Sequence, residues 1–205
     1  MSSPSNLDSS ADNRRFPLIP SEQLTPEQKV LVEAIRSGPR AQIQNSGASK
    51  PGPIGGPFNV WLRSPGIGDK IQQLGEEIRF RSSLPSKLNE MAILVTARVW
   101  KSQYEWFAHH KLAVAAGLDP QIGKDIAEGK RPTTMSDEEA IIYDFSLQMH
   151  ETHGVDDKTY QRAIQQFGER GVMDLMAVNG FYCLVSMCLN VDRTPLPVGE
   201  PLPLK

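Results

Sequence analysis

Residues 84–118 read LPSKLNEMAILVTARVWKSQYEWFAHHKLAVAAGL, and the parsing of this stretch decides the fold. Its first part opens at Pro85 or Ser86, runs to Trp100 and is apolar on most faces, which marks a central helix enclosed by others. The second part packs an acid, three aromatic rings and two histidines into residues 102–111, between apolar, alanine-rich runs, and ends at Gly117. At roughly 100° per residue, Ser102, Glu105, Trp106 and His109 fall within an arc of about 100°, with Ala113 continuing the stripe. Glu105 and His109 form an i, i+4 pair, near enough for the carboxylate to accept from the imidazole or for both to reach one ligand. The apolar flanks imply partial burial, which raises the pKa of an unpaired glutamate and lowers that of an unpaired histidine. Spacing alone leaves two readings open: the pair satisfies itself inside a core, or it carries chemistry.

Outward from this stretch the pattern stays helical. On the N-terminal side, TPEQKVLVEAIRSGPR opens a helix with Thr25 as N-cap, Pro26 in the first position and Gln28 placed for a capping box, and Gly38 and Pro39 stop it. Residues 45–66 are rich in glycine and proline and read as a long loop, with PFNVWLRSP inside it as one short helical turn. Ile67, Ile71, Leu74 and Ile78 then recur at helical spacing. On the C-terminal side come DPQIGKDIAEG, SDEEAIIYDFSLQMHETHG with Ser136 and Glu139 as a second capping box, DDKTYQRAIQQFG, and the almost wholly apolar ERGVMDLMAVNGFYCLVSMCLN. Strand signals are absent, so the expected class is all-α. Residues 1–24 read as a poorly ordered arm unless docked on another subunit, 25–195 as the helical domain and 196–205 as a proline-rich tail. The central and last helices look too apolar for one small bundle, which points to burial between subunits.

The chain has 205 residues with 22 basic and 24 acidic side chains, a formal charge of -2. No basic cluster follows an aromatic stripe, so neither nucleic acid nor a membrane surface is an expected partner. No apolar run is read as long enough to span a bilayer, and the N-terminus lacks the order of a secretory signal, so a soluble, cytoplasmic protein is expected. Cys183 and Cys188 stand five apart on a helix, which points them to separate directions and makes a mutual disulfide awkward. They read as buried packing residues in a reducing compartment. His150 and His153 of HETHG could ligate a metal, but a helix end suits histidine for electrostatic reasons alone, and no metal is expected. His110 points away from His109, toward solvent or a subunit contact. Asn179 and Asn190, polar in an apolar helix, either contact ligand or bond to backbone.

The 84–118 stretch resembles the signature of the carboxymuconolactone decarboxylase family, in the superfamily that also holds the alkylhydroperoxidase D proteins. Glu90, the Ala97-Arg98 pair and YEW followed by a histidine match the decarboxylase-like branch, and the resemblance extends from GPFNVWLRSP to FYCLVSMCLNVDRTPLP. In the peroxidase branch, Ser102 and Glu105 correspond to the two cysteines of a Cys-x-x-Cys motif, with Glu90 and His109 in a proton relay. Serine and a carboxylate cannot form the disulfide such a cycle needs. The resemblance therefore implies an alkylhydroperoxidase D-like helical bundle, oligomeric as a trimer or hexamer, working without metal, flavin or nucleotide.

What it implies chemically is acid/base catalysis on a small organic acid or lactone, of the 4-carboxymuconolactone decarboxylase type. His109 is the expected proton-transferring residue, Glu105 its partner and Glu90 a supporting group. Arg98 is expected to hold a carboxylate or a helix terminus, with Ser102 and Trp106 beside it, and Phe58, Trp61 and Tyr182 are lid and wall candidates that otherwise belong to the core. The same pocket could dehydrate, isomerise or open a ring. A non-catalytic ligand-binding or assembly protein is the reading from a different class.

Overall fold

A computed structural model describes residues 12–39 and 52–205, and the described residues form eight α-helices and one short 3-10 turn, with no strand. The helices are α1 (Pro26–Ser37), α2 (Pro57–Trp61), α3 (Pro65–Phe80), α4 (Ser86–Val99), α5 (Gln103–Ala115), α6 (Pro120–Ala127), α7 (Asp137–Thr152) and α8 (Asp157–Asp192). Both capping boxes form: Thr25 with Gln28 opens α1, and Ser136 with Glu139 opens α7. Residues 45–51 of the glycine-proline loop lie outside the described residues.

α4 is the axis of the molecule, packed by α5, α6, α7 and α8. Leu88, Met91, Ala92, Ile93, Leu94 and Ala97 have no solvent exposure at all. Its apolar excess is thus covered by its own chain, and the expectation that α4 needs a second subunit is corrected. α8 behaves differently and leaves Met173, Met176, Met187 and Val191 exposed along one side.

The chain reverses between α4 and α5 at Lys101, whose φ of 49° is left-handed. The Ser102 amide donates back to the Ala97 carbonyl at 2.9 Å, closing the end of α4, and Ser102 then stands as N-cap of α5. The resulting antiparallel pair, α4 against α5, is the frame of the site.

α3 departs from its sequence pattern. Ile67 and Leu74 are 63% and 51% exposed, while Gly68, Gln72 and Gly75 are buried. A methyl group at Gly68 would come within 2.7 Å of the Trp61 carbonyl oxygen, so glycine there permits the close approach of α2 and α3. The face that packs carries the small residues, with Ile71 and Ile78 of the expected stripe at its edge.

The last two expected helices join into α8 through Gly168, whose φ of 67° and ψ of 178° break the helical run. Its apolar C-terminal part is long and apolar enough to cross a membrane by length and composition, contrary to the sequence expectation, but half of that stretch is buried in the fold, as befits a core helix.

The described part of the N-terminal arm docks on its own chain. The Arg15 and Phe16 amides donate to the Asp192 carbonyl and carboxylate, both at 2.8 Å, and Asn59 Nδ2 donates to the Phe16 carbonyl at 2.7 Å. The proline-rich tail is also tied down: Leu204 is buried, and its backbone exchanges two hydrogen bonds with the Gln103 side chain at the start of α5.

Candidate active site

Four elements bring the ionisable groups together. α4 supplies Glu90, α5 supplies Glu105 and His109 one turn apart, α3 supplies Arg79, and α8 supplies Tyr182. His109 Nδ1 lies 2.6 Å from Glu90 Oε2, and its Nε2 lies 3.0 Å from Glu105 Oε1. Arg79 donates to the other Glu90 oxygen at 3.4 Å. The Tyr182 ring meets the imidazole edge-on, centroids 5.0 Å apart. Glu90, Glu105 and His109 are respectively 6%, 3% and 6% exposed, so these charges interact with little screening by water.

Burial works against an imidazolium, but Glu90 and Glu105 outweigh it and push the His109 pKa up to about 9. Burial likewise works against the Glu90 carboxylate, and His109 and Arg79 overcome it, holding the pKa below its ordinary value. The Arg79 guanidinium is desolvated too, yet Tyr182, Glu90 and Glu105 raise its pKa. Glu90, Glu105, His109 and Arg79 therefore share one buried site. At neutral pH His109 is an imidazolium with a glutamate side chain at each nitrogen, a proton donor whose two neighbours differ in surroundings.

Of the residues named from sequence, the structure gathers Glu90, Glu105, His109 and Tyr182. Ser102, one turn before Glu105, has a fully buried Oγ without a hydrogen-bond partner. Trp106 is buried but turned aside, stacked on His110 at 5.7 Å. His110 packs over Gly123 of α6 and is partly exposed. Arg98, about 12 Å further along α4 than Glu90, lays its guanidinium against Gly129 beyond α6, not on the ionised group. Phe58 and Trp61 pair edge-to-face at 5.2 Å on α2, as part of the core. His150 turns inward while His153 ends α7 at the surface in a left-handed conformation. Asn190 donates to the Trp100 carbonyl at 2.8 Å. Cys183 and Cys188 are free thiols.

Arg79 was not singled out from sequence. The signal was the spacing Gly68, Gln72, Gly75, Arg79, which lies along one helix face and coincides with the buried side of α3; the brighter isoleucine stripe hid it.

No family model matches the chain, and no curated protein matches it. Among solved structures it resembles the debrominase Bmp8, a cysteine-to-alanine variant in complex with 2,3,4-tribromopyrrole, with a TM-score of 0.66 at 10% sequence identity over 91% of this chain and 93% of that one. The likeness shows that the two chains share one all-helical fold. Within this architecture the cluster of Glu90, Glu105 and His109 sits on the central α4–α5 pair.

Proposed function

We propose that the protein is a cofactor-independent acid/base enzyme that acts on a small organic acid or lactone, with decarboxylation as the leading reaction. The observation that carries this reading is the buried His109 imidazolium held between Glu90 and Glu105. In the reaction, the bond between the substrate carboxylate and its carbon breaks, the electron pair passes into a conjugated carbonyl, and carbon dioxide leaves. The resulting enolate carbon takes a proton from the Glu105–His109 pair, which recovers it from water. Glu105 is the group that meets the substrate, since both imidazole nitrogens are occupied by carboxylates, and His109 is its proton reservoir. Glu90, fixed by Arg79, holds the imidazole in place. This reverses the emphasis that spacing gave to His109. Arg79, rather than Arg98, is the cation offered to an anionic substrate, and the unpartnered Ser102 Oγ is a hydrogen-bonding group for it. We propose a soluble homo-oligomer, through the exposed side of α8.

The test is turnover on carboxylated unsaturated lactones, read as carbon dioxide release and uptake of solvent deuterium at carbon, with thermal unfolding measured alongside. His109→Asn and Glu105→Gln should each lower turnover on the order of 10²-fold or more while remaining folded. Folded variants that turn over like wild type would remove the cluster from the mechanism.

A further inference from the structure

A second polar cluster lies about 120° around α4 from Glu90, and the chemistry above does not use it. It joins Thr96 and Trp100 at the C-terminal end of α4, His150 of α7, and Asn179 and Cys183 of α8. His150 Nδ1 faces Cys183 Sγ at 3.8 Å, and His150 Nε2 faces Asn179 Oδ1 at 3.1 Å and Thr96 Oγ1 at 3.0 Å. The Trp100 indole N–H donates to the same sulfur at 3.2 Å.

The hydrogen bonds determine where the protons sit. Asn179 Nδ2 is 2.8 Å from the Leu175 carbonyl oxygen, which can only accept, so this nitrogen faces Leu175 and Ser146 and the amide oxygen faces His150. That oxygen can also only accept, and the Thr96 hydroxyl gives its proton to it or to the Ala92 carbonyl, both at 3.0 Å. The imidazole proton is therefore on Nε2, and Nδ1 presents its lone pair to the thiol. The arrangement has a sulfur, a base within reach of it, and a third group that orients the base.

Burial raises the Cys183 pKa and lowers that of His150, so the two rest as neutral thiol and neutral imidazole. Cys183, His150 and Trp100 are each partly exposed. Gly180, one turn earlier on α8, is exposed, and nothing lies within 4 Å of where a side chain there would begin. None of Thr96, Trp100, Ser146 and Asn179 carries a charge.

We infer that Cys183 is a nucleophile activated by His150 as general base, with Asn179 as positioning residue, and that the site takes small uncharged α,β-unsaturated carbonyl compounds. In the step, sulfur bonds to the β-carbon and the carbon–carbon π pair moves toward the carbonyl as an enolate. The S–H proton passes to His150 Nδ1 and from there to the α-carbon. The product is a thioether, nothing is oxidised or reduced, and His150 ends as it began. Trp100 stabilises the charge that develops on sulfur before the bond is complete.

N-ethylmaleimide is the probe, used on the full chain carrying Cys188→Ser so that Cys183 is the single thiol, with adduct formation followed by mass spectrometry at neutral pH. The native protein should react about tenfold or more faster than the same protein unfolded in urea, where neither base nor donor is in place. A partly buried thiol without activation shows the opposite order, and that result overturns the inference using no further variant. In the same background His150→Gln should slow the native reaction at least about tenfold; a folded His150→Gln protein that reacts at the parent rate also overturns it. Ring-nitrogen NMR shifts of His150 should report the Nε2–H tautomer and lose it in Asn179→Ala, whereas a purely structural Asn179 leaves the tautomer unchanged.

Discussion

His109 makes the pH behaviour of the molecule predictable from one side chain. Its pKa in the folded protein, about 9, lies above the ordinary 6.5. Its contribution to stability is therefore complete below about 6.5 and is lost progressively as pH rises to about 9. Glu90 has the opposite sign: its folded pKa lies below the ordinary 4.5, so its contribution is present above that pH and lost on acidification. Calorimetric melting temperature should accordingly fall between pH 6.5 and 9, and Glu90→Gln should flatten that decline; a wild-type profile level across this interval contradicts the assigned charge state. Turnover should fall along the same alkaline limb as the imidazolium deprotonates. Ser102 offers a second test. Its buried Oγ has no partner and makes no capping bond, so Ser102→Ala should leave stability unchanged or raise it by up to about 1 kcal/mol. The same variant should raise KM several-fold, and a loss of stability with KM unchanged would assign the hydroxyl a structural role instead.

At the scale of elements, α8 depends on one glycine. With φ of 67° and ψ of 178°, Gly168 occupies a region essentially closed to residues with a side chain. Gly168→Ala should cost about 1–3 kcal/mol in urea denaturation, although no neighbouring atom lies within 4 Å of the added methyl. A negligible loss would mean the break in α8 is not required by the fold. The sequence announced this break through the glycine between the amphipathic DDKTYQRAIQQF and the apolar run after it, just as it announced α1 and α7 through their capping boxes and α2 through PFNVW. It was half right at α3, where Ile71 and Ile78 pack but Ile67 and Leu74 point outward and glycine forms the closest contact. Periodicity marks a helix well, but which face packs is decided by what neighbouring helices can approach, and Gly68 wins there because it lets α2 come close. The Glu105–His109 pair was legible because it lies within one helix. Arg79 and the direct bond from Glu90 were not, since both depend on how three helices meet.

For the whole molecule, the apolar surface of α8 is the feature still without a role inside one chain. Met173, Met176, Met187 and Val191 lie along a single exposed side of the helix, and a contiguous apolar stripe marks a surface for association. Light scattering at micromolar concentration should give an oligomer, and Met187→Glu should reduce its mass while helical content by circular dichroism is retained. A compact, well-folded monomer in the wild type would show that the stripe serves another end. The proposed oligomer therefore rests on α8 and not on α4, where α5 to α8 supply the cover.

Tyr182 and Cys183 are consecutive residues of α8, yet one meets His109 and the other meets His150. Adjacent helical positions are about 100° apart, so this single step divides the two clusters between neighbouring faces of one helix. Loss of one residue between Gly171 and Phe181 would turn the rest of α8 back by that angle and bring the thiol to where the phenol ring now stands, beside a buried imidazolium. Point substitutions can be sampled one by one along this segment, but a change in its length cannot. In descent, the distance from Gly171 to Tyr182 should therefore be kept more strictly than the identity of any residue between them, and an alignment of true relatives should show substitutions there without gaps.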